Sequence, residues 1–235
     1  TVILDNYARL LDELTPVEFI DVIDPGRRLN GEMYWNLYHE DWLSAEAAVY
    51  LDLFNVRYLL EVQRPLAYPE YDIAQGGQRF TKYTIGEMTV YENHRALPVA
   101  HAVHKARVAD SLGETIELLR SGKVDVHQEA VVEAPFSPEV LQPLAQGSAD
   151  AVSVLEYENT HVVVDATMAS DGLVVLTDPH YPGWMAYVDG EPAAVHLLNG
   201  LVRGVMVPKG RHTVEFVFRP QSFQSGLIIT VLSLA

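Results

Sequence analysis

The stretch that decides the fold runs Trp184-Met-Ala-Tyr-Val-Asp-Gly190, then Asn199-Gly-Leu-Val-Arg-Gly-Val-Met-Val-Pro-Lys-Gly210, then His212-Thr-Val-Glu-Phe-Val-Phe218. Along the last run apolar residues recur at every second position. Val214, Phe216 and Phe218 share one face, the period of a half-buried strand. Asp189-Gly190 and Asn199-Gly200 are the dipeptides that suit a two-residue hairpin turn, because both central positions need positive φ. Pro208-Lys209-Gly210 adds a third turn about ten residues on. Upstream, His161–Met168 places Val162, Val164, Ala166 and Met168 on one face, and Leu173–Asp178 is a further apolar run. Short strands at this regular spacing predict an antiparallel β-sandwich, of jelly-roll or Ig-like type, over 149–224.

Working toward the N-terminus, the signals become mixed. Ser111 and Glu114 form a capping box ahead of Leu112, Ile116 and Leu119, with Gly122 as the C-terminal cap. Strands predicted over Val99–Val108 and Val124–Glu133 flank that helix, a β–α–β unit. Ala45–Leu53 behind Ser44 reads as a helix, Val56–Val62 as a strand, and Lys82–Tyr91 as a hairpin turning near Gly86. Tyr7, Leu10, Leu11 and Leu14 make a helical stripe that Pro16 stops, and Val17–Ile23 reads as a short strand. The expected organisation is therefore α+β. A mixed α/β domain occupies 1–148, and the proline-rich stretch from Ala134 to Asp150 marks the boundary.

Composition narrows the chemistry. The chain has 235 residues, and 32 acidic against 16 basic side chains give a formal net charge of −16. So acidic a surface excludes nucleic acid as a partner, since phosphates need a basic face. The chain has no cysteine, hence no disulfide, thiolate metal site or cysteine nucleophile. No phosphate-binding glycine loop, nucleophile elbow or zinc-protease motif occurs. His101 and His104 are the closest histidine pair, but a regular strand points them to opposite faces. Asp178-Pro179-His180 lacks a third ligand at a usable spacing. No metal and no cofactor are expected. Paired carboxylates such as Glu156 with Glu158, or Asp21 with Asp24, read as a solvated face in so acidic a chain.

Two aromatic clusters remain. Tyr34, Tyr38 and Trp42 fall on one helical face, a pattern favouring core over a sugar-stacking row. His180-Tyr-Pro-Gly-Trp184 sits in a tight turn between β segments. Its sugar-binding reading uses Tyr181 and Trp184 for stacking, with Asn199 and Arg203 supplying hydrogen bonds from the neighbouring strand. Its bland reading makes Trp184 a plug at the end of the sandwich. The final run, Gly226-Leu-Ile-Ile-Thr-Val-Leu-Ser-Leu-Ala235, is uncharged and apolar. Its pattern fits either the first half of a membrane helix or a buried last element.

Asp178-Pro-His-Tyr-Pro-Gly-Trp-Met-Ala-Tyr-Val-Asp-Gly190, Asn199-Gly-Leu-Val-Arg203, Val207-Pro-Lys-Gly-Arg-His-Thr-Val-Glu-Phe216 and Arg219-Pro220 together resemble the C-terminal extracytoplasmic region of the YfhO-like bacterial multi-pass membrane proteins. Leu53-Phe-Asn-Val-Arg-Tyr-Leu-Leu60 and Tyr91-Glu-Asn-His-Arg-Ala-Leu-Pro98 are similar to earlier motifs of that family. The resemblance implies a parent related to lipid-linked-sugar glycosyltransferases, with its catalytic loop outside this chain. It makes 225–235 the start of a transmembrane helix and places the soluble part on the extracytoplasmic side of the cell membrane. On that expectation the chain is non-catalytic and positions a glycan or cell-envelope polymer. The competing expectation is a structural or partner-binding module with no ligand of its own. A free-standing hydrolase has no motif to support it.

Overall fold

A computed structural model describes residues 45–62, 79–85, 88–137, 141 and 149–220. The chain divides into two compact units, residues 1–97 with 116–123, and residues 98–115 with 124–235. The elements expected at 7–14, 17–23, 34–42 and 225–235 lie outside the described residues.

In the first unit, α1 (Ala45–Leu53) precedes β1 (Tyr58–Val62), β2 (Phe80–Ile85) and β3 (Met88–Asn93). Asn55 ends α1 in the left-handed region at φ 55°. The amides of Asn55 and Val56 then bond back to the carbonyls of Asp52 and Leu51, which satisfies two orphan carbonyls of the last turn. The three strands form an antiparallel sheet in the order β1-β3-β2. The expected hairpin is present, with Ile85 opposite Met88.

The second unit holds β4 (Ala100–Val103), β5 (Lys105–Ala109) and β6 (Glu129–Glu133), and the helix α2 (Leu112–Arg120) begins in it and continues into residues assigned to the first. The second unit continues through β7 (Ala151–Glu158), β8 (His161–Met168), β9 (Gly172–Pro179), β10 (Trp184–Val188) and β11 (Glu191–Ala193). β12 (Val195–Leu198), β13 (Val202–Val207) and β14 (Gly210–Phe218) complete it. A five-stranded sheet β11-β10-β14-β8-β7 accompanies a six-stranded sheet β4-β9-β13-β12-β6-β5. Both turns predicted from Asp-Gly and Asn-Gly form, with φ of 53° and 84° at Asp189 and Gly190 and 53° and 71° at Asn199 and Gly200. The core lies between the sheets, where Val162, Val164, Ala166 and Met168 of β8 meet Val174, Leu176, Val205, Val207, Val214 and Phe216, all at most 2 % exposed. Each of these side chains other than Ala166 contributes roughly 1.5–3 kcal/mol. The described residues are mostly β and sandwich-like.

The strands expected before and after α2 in sequence are also present, because β5 and β6 pair in parallel. Ser111 Oγ accepts from the Glu114 amide at 3.2 Å, and Glu114 reaches back to the Asp110 amide at 2.8 Å. These strands belong to the six-stranded sheet of the sandwich. Val124–Gln128, expected as strand, instead forms a turn, because Asp125 Oδ1 accepts from the His127 amide and its carbonyl from those of Gln128 and Glu129. Val99–Val108, expected as one strand, is interrupted at His104, and its halves pair with β9 and with β6 at opposite edges of the sheet. A single intervening residue spans only about 7 Å, so the sheet curls until its two edges meet at His104.

Candidate functional site

The end of the sandwich near Trp184 is built by two irregularities in strand register. Along β13, Arg203 is in phase with the core residues Val205 and Val207, so its side chain points between the sheets. Along β9, Asp178 is in phase with Val174 and Leu176. The pairing of β9 with β13 slips between Val202 and Arg203, leaving Thr177 and Asp178 as extra residues on β9. Thr177 turns its amide to the Val99 carbonyl at 2.8 Å. A second slip on β7, between Val154 and Glu156, moves Tyr157 opposite the inward-facing Val162. Bulges commonly re-aim a side chain in this way.

The products of these bulges converge on Arg203, which is 1 % exposed. Its Nη1 donates to the Pro179 carbonyl at 2.8 Å and its Nη2 to Asp178 Oδ2 at 3.1 Å. The Tyr157 hydroxyl donates to the other Asp178 oxygen at 2.7 Å. The Arg203 Cζ lies 3.8 Å from the centroid of the Trp184 ring and 5.6 Å from that of Phe216. Trp184 also packs against Phe218, at a centroid separation of 5.3 Å. Burial lowers the pKa of Arg203 while the Asp178 carboxylate pulls it back up, and a guanidinium remains charged throughout. Burial, then the hydrogen bond to Asp178, pushes Tyr157 up to about 12. His180 is lowered by burial and by the Arg203 charge.

Beside this cluster runs an open groove of about 390 Å³. Its walls come from His180, Pro182 and Gly183 of the turn, from Trp184, Met185 and Tyr187 of β10, and from Pro192 and Val195. Apolar and aromatic walls with few polar groups suit the flat faces of a sugar or a peptide proline.

The four residues singled out from the sequence are placed differently from one another. Trp184 lines the groove and is half-buried. Tyr181 is half-buried in the turn, its carbonyl accepting from the Trp184 amide at 3.4 Å, and it is not among the groove-lining residues. Arg203 is beneath Trp184, with its bonds directed into the protein. Asn199, 3 % exposed, exchanges two bonds with β6: its amide to the Val131 carbonyl at 2.6 Å, and its side-chain oxygen to the Val131 amide at 2.8 Å. Tyr187 was not anticipated, although its position in the Asp189-Gly190 hairpin, out of phase with core-facing Ala186, is a readable signal.

Other polar clusters have structural roles. His104 Nε2 lies 2.8 Å from Asp150 Oδ2, and its Nδ1 lies 3.0 Å from Ser170 Oγ and 3.1 Å from the Asp171 carbonyl. These are the residue types of a nucleophile relay, but Ser170 is 8 % and His104 6 % exposed, both buried. They fasten the bend between β4 and β5. In the first unit the buried Asp52 accepts from Arg79 at 2.6 Å and from Asn93 at 2.9 Å. That contact joins the two N-terminal motifs quoted above, for Asn93 also bonds the Val56 carbonyl. Among the described residues no three His, Asp or Glu side chains are grouped to hold a metal ion. Among them, too, no helix is long and apolar enough to cross a membrane.

No curated protein and no solved structure matches this chain. A family model described as bacterial membrane protein YfhO matches residues 114–230, about half of the sequence. The match spans the second β–α–β strand, both bulged strands, the Tyr-Pro-Gly-Trp turn and all three predicted turns, the features that build the sandwich and its groove. The chain belongs to the YfhO family of bacterial membrane proteins.

Proposed function

We propose that this chain is an extracytoplasmic domain of a multi-pass membrane protein related to the lipid-linked-sugar glycosyltransferases. It is non-catalytic itself, and its groove holds an acceptor glycan or envelope polymer for machinery elsewhere in the parent. The observation that carries this reading is the groove wall: a partly exposed Trp184 whose ring is held from within by a buried cation, next to Tyr187. An aromatic fixed before binding loses little conformational freedom when a ligand stacks on it. The family match supports the membrane parent, and the expected membrane segment at 225–235 belongs to the same reading.

The test is a melting-temperature screen of the 235-residue chain against neutral and acidic oligosaccharides. A ligand at 100 times its Kd raises stability by about 2.7 kcal/mol. Tyr187→Ala should remove that shift and leave the melting temperature of the free chain nearly unchanged. The second reading, a structural or partner-binding module without a ligand, is favoured by the contacts Trp184 makes with Arg203 and Phe218. It predicts no shift with any carbohydrate.

A further inference from the structure

The chain leaves the sandwich at one defined place. The Arg219 amide donates to the Gly183 carbonyl at 2.7 Å. Pro220 packs so closely that a Cβ on Gly183 would lie 2.9 Å from the Pro220 Cα. Gly183 adopts φ 112°, a conformation that side-chain-bearing residues rarely adopt. The tip of the Tyr181-Pro-Gly-Trp184 turn is thus fastened to the point where β14 ends. In sequence, only Gln221–Ser225 separate Pro220 from the apolar run that starts at Gly226. So few residues reach no further than about 20 Å even when fully extended.

The charge pattern at this tip departs from that of the whole chain. Despite 32 acidic residues in the sequence, none lies in 179–188 or in 216–235, and the only charged side chain in those two segments is Arg219. Asp178, next to the turn, is neutralised by Arg203. Glu158 of the β7–β8 turn lies toward the same end, where the Thr160 carbonyl accepts from the Phe218 amide. The tip itself presents Tyr181, the exposed Pro182 and the edge of Trp184. Tyrosine and tryptophan are the side chains that favour a membrane–water interface, where an apolar ring and a polar edge are both satisfied.

We propose that the Tyr181–Trp184 turn is the membrane-facing tip of this domain and rests in the headgroup layer of a lipid bilayer. The contact is aromatic in character and carries no acidic group, with the exposed Arg219 as its one charged side chain. This inference rests on the membrane-protein reading above, because the apolar run beginning at Gly226 is what holds the tip within reach of the bilayer.

The absence of cysteine makes the test direct, since any introduced cysteine is the only one to label. Pro182→Cys and Lys209→Cys are each labelled with an environment-sensitive fluorophore in the full 235-residue chain. Both positions are exposed, and they sit near opposite ends of β14, whose nine residues span roughly 27 Å. The chains are mixed with phosphatidylcholine vesicles carrying a headgroup-level quencher. The expected result is co-sedimentation, with a blue shift and loss of fluorescence for the label at 182 and neither for that at 209. Co-sedimentation with equal quenching at both positions, or with quenching at 209 alone, overturns the proposed orientation and leaves the membrane-protein reading standing. Failure to co-sediment overturns both. If Pro182→Cys lowers the melting temperature, the emission of Trp184 in a Trp35→Phe, Trp42→Phe chain gives the same comparison without a label.

Discussion

Arg203 and Trp184 form a buried cation–aromatic pair across the two sheets, with the guanidinium carbon 3.8 Å from the ring centroid. The pair explains how a charged residue can occupy a core-facing position in β13. Removing the charge alone leaves Asp178 with no cation, so Arg203→Met is expected to cost about 2–4 kcal/mol of unfolding free energy. Asp178→Asn in the Arg203→Met background should recover part of that loss. In a double-mutant cycle measured by urea denaturation, Arg203→Met with Trp184→Leu should show a coupling of about 1–2 kcal/mol. Additive losses would mean that the ring and the guanidinium do not support each other.

Tyr157 tests the bulge on β7. Its hydroxyl reaches Asp178 only because the register slips at Leu155. Its pKa is raised to about 12 against an ordinary 10.0. The neutral phenol is therefore the form favoured by folding. Its contribution is full below pH 10 and is lost as the pH rises toward 12. In an ultraviolet titration, one of the tyrosines should ionise late, and Tyr157→Phe should delete that last phase. Tyr157→Phe at neutral pH should cost about 1 kcal/mol or less, the net worth of its one hydrogen bond to Asp178.

How much of this was legible in the sequence depends on how local the cause was. The hairpins at Asp189-Gly190 and Asn199-Gly200 are set by two adjacent residues that tolerate positive φ, so the sequence was sufficient. The capping box at Ser111 was equally local. The pairing of β9 with β13 and the bulges at Thr177-Asp178 and Leu155 were not legible, because register is chosen by which faces two distant strands must bury. The sugar-binding reading of Arg203 and Asn199 needs their side chains on the surface. The alternation Arg203, Val205, Val207 already puts the arginine on the inward face, and that alone required a buried anion such as Asp178. Asn199 carries turn geometry at φ 53° as well as a side-chain acceptor. Its partner Val131 is 68 residues away, beyond the reach of local pattern.

Two histidines should give the stability curve opposing slopes. Hydrogen bonds to Glu156 and Glu215 raise His161 above its ordinary 6.5. Its contribution is full below pH 6.5 and fades as the pH rises. Burial, with the nearby His127, lowers His101 to about 4. Its contribution is full above pH 6.5 and is lost as the pH falls toward 4. Chemical denaturation of the wild type should show an acid limb of about 2–3 kcal/mol attributable to His101, and His101→Leu should flatten it. His161→Gln should lose most near pH 6 and least near pH 8. A wild-type curve unchanged by His101→Leu would show that His101 does not titrate in this range.

The closure of the six-stranded sheet at His104 depends on a residue with no side chain at all. A Cβ on Gly172 would lie 2.7 Å from both Cε1 and Nδ1 of His104 and 2.9 Å from the Val103 carbonyl oxygen. The imidazole cannot retreat without leaving Asp150, and the Val103 carbonyl belongs to β4, which pairs with the same strand as Gly172. Gly172→Ala should therefore overpack the bend and cost about 1–3 kcal/mol. His104→Ala empties the space behind Gly172, so in that background the added methyl should cost much less than it does alone. The comparison is made by denaturing each single variant and the double. Equal costs of Gly172→Ala in both backgrounds would place the strain on the Val103 carbonyl, and the histidine clamp would then have no part in setting the glycine.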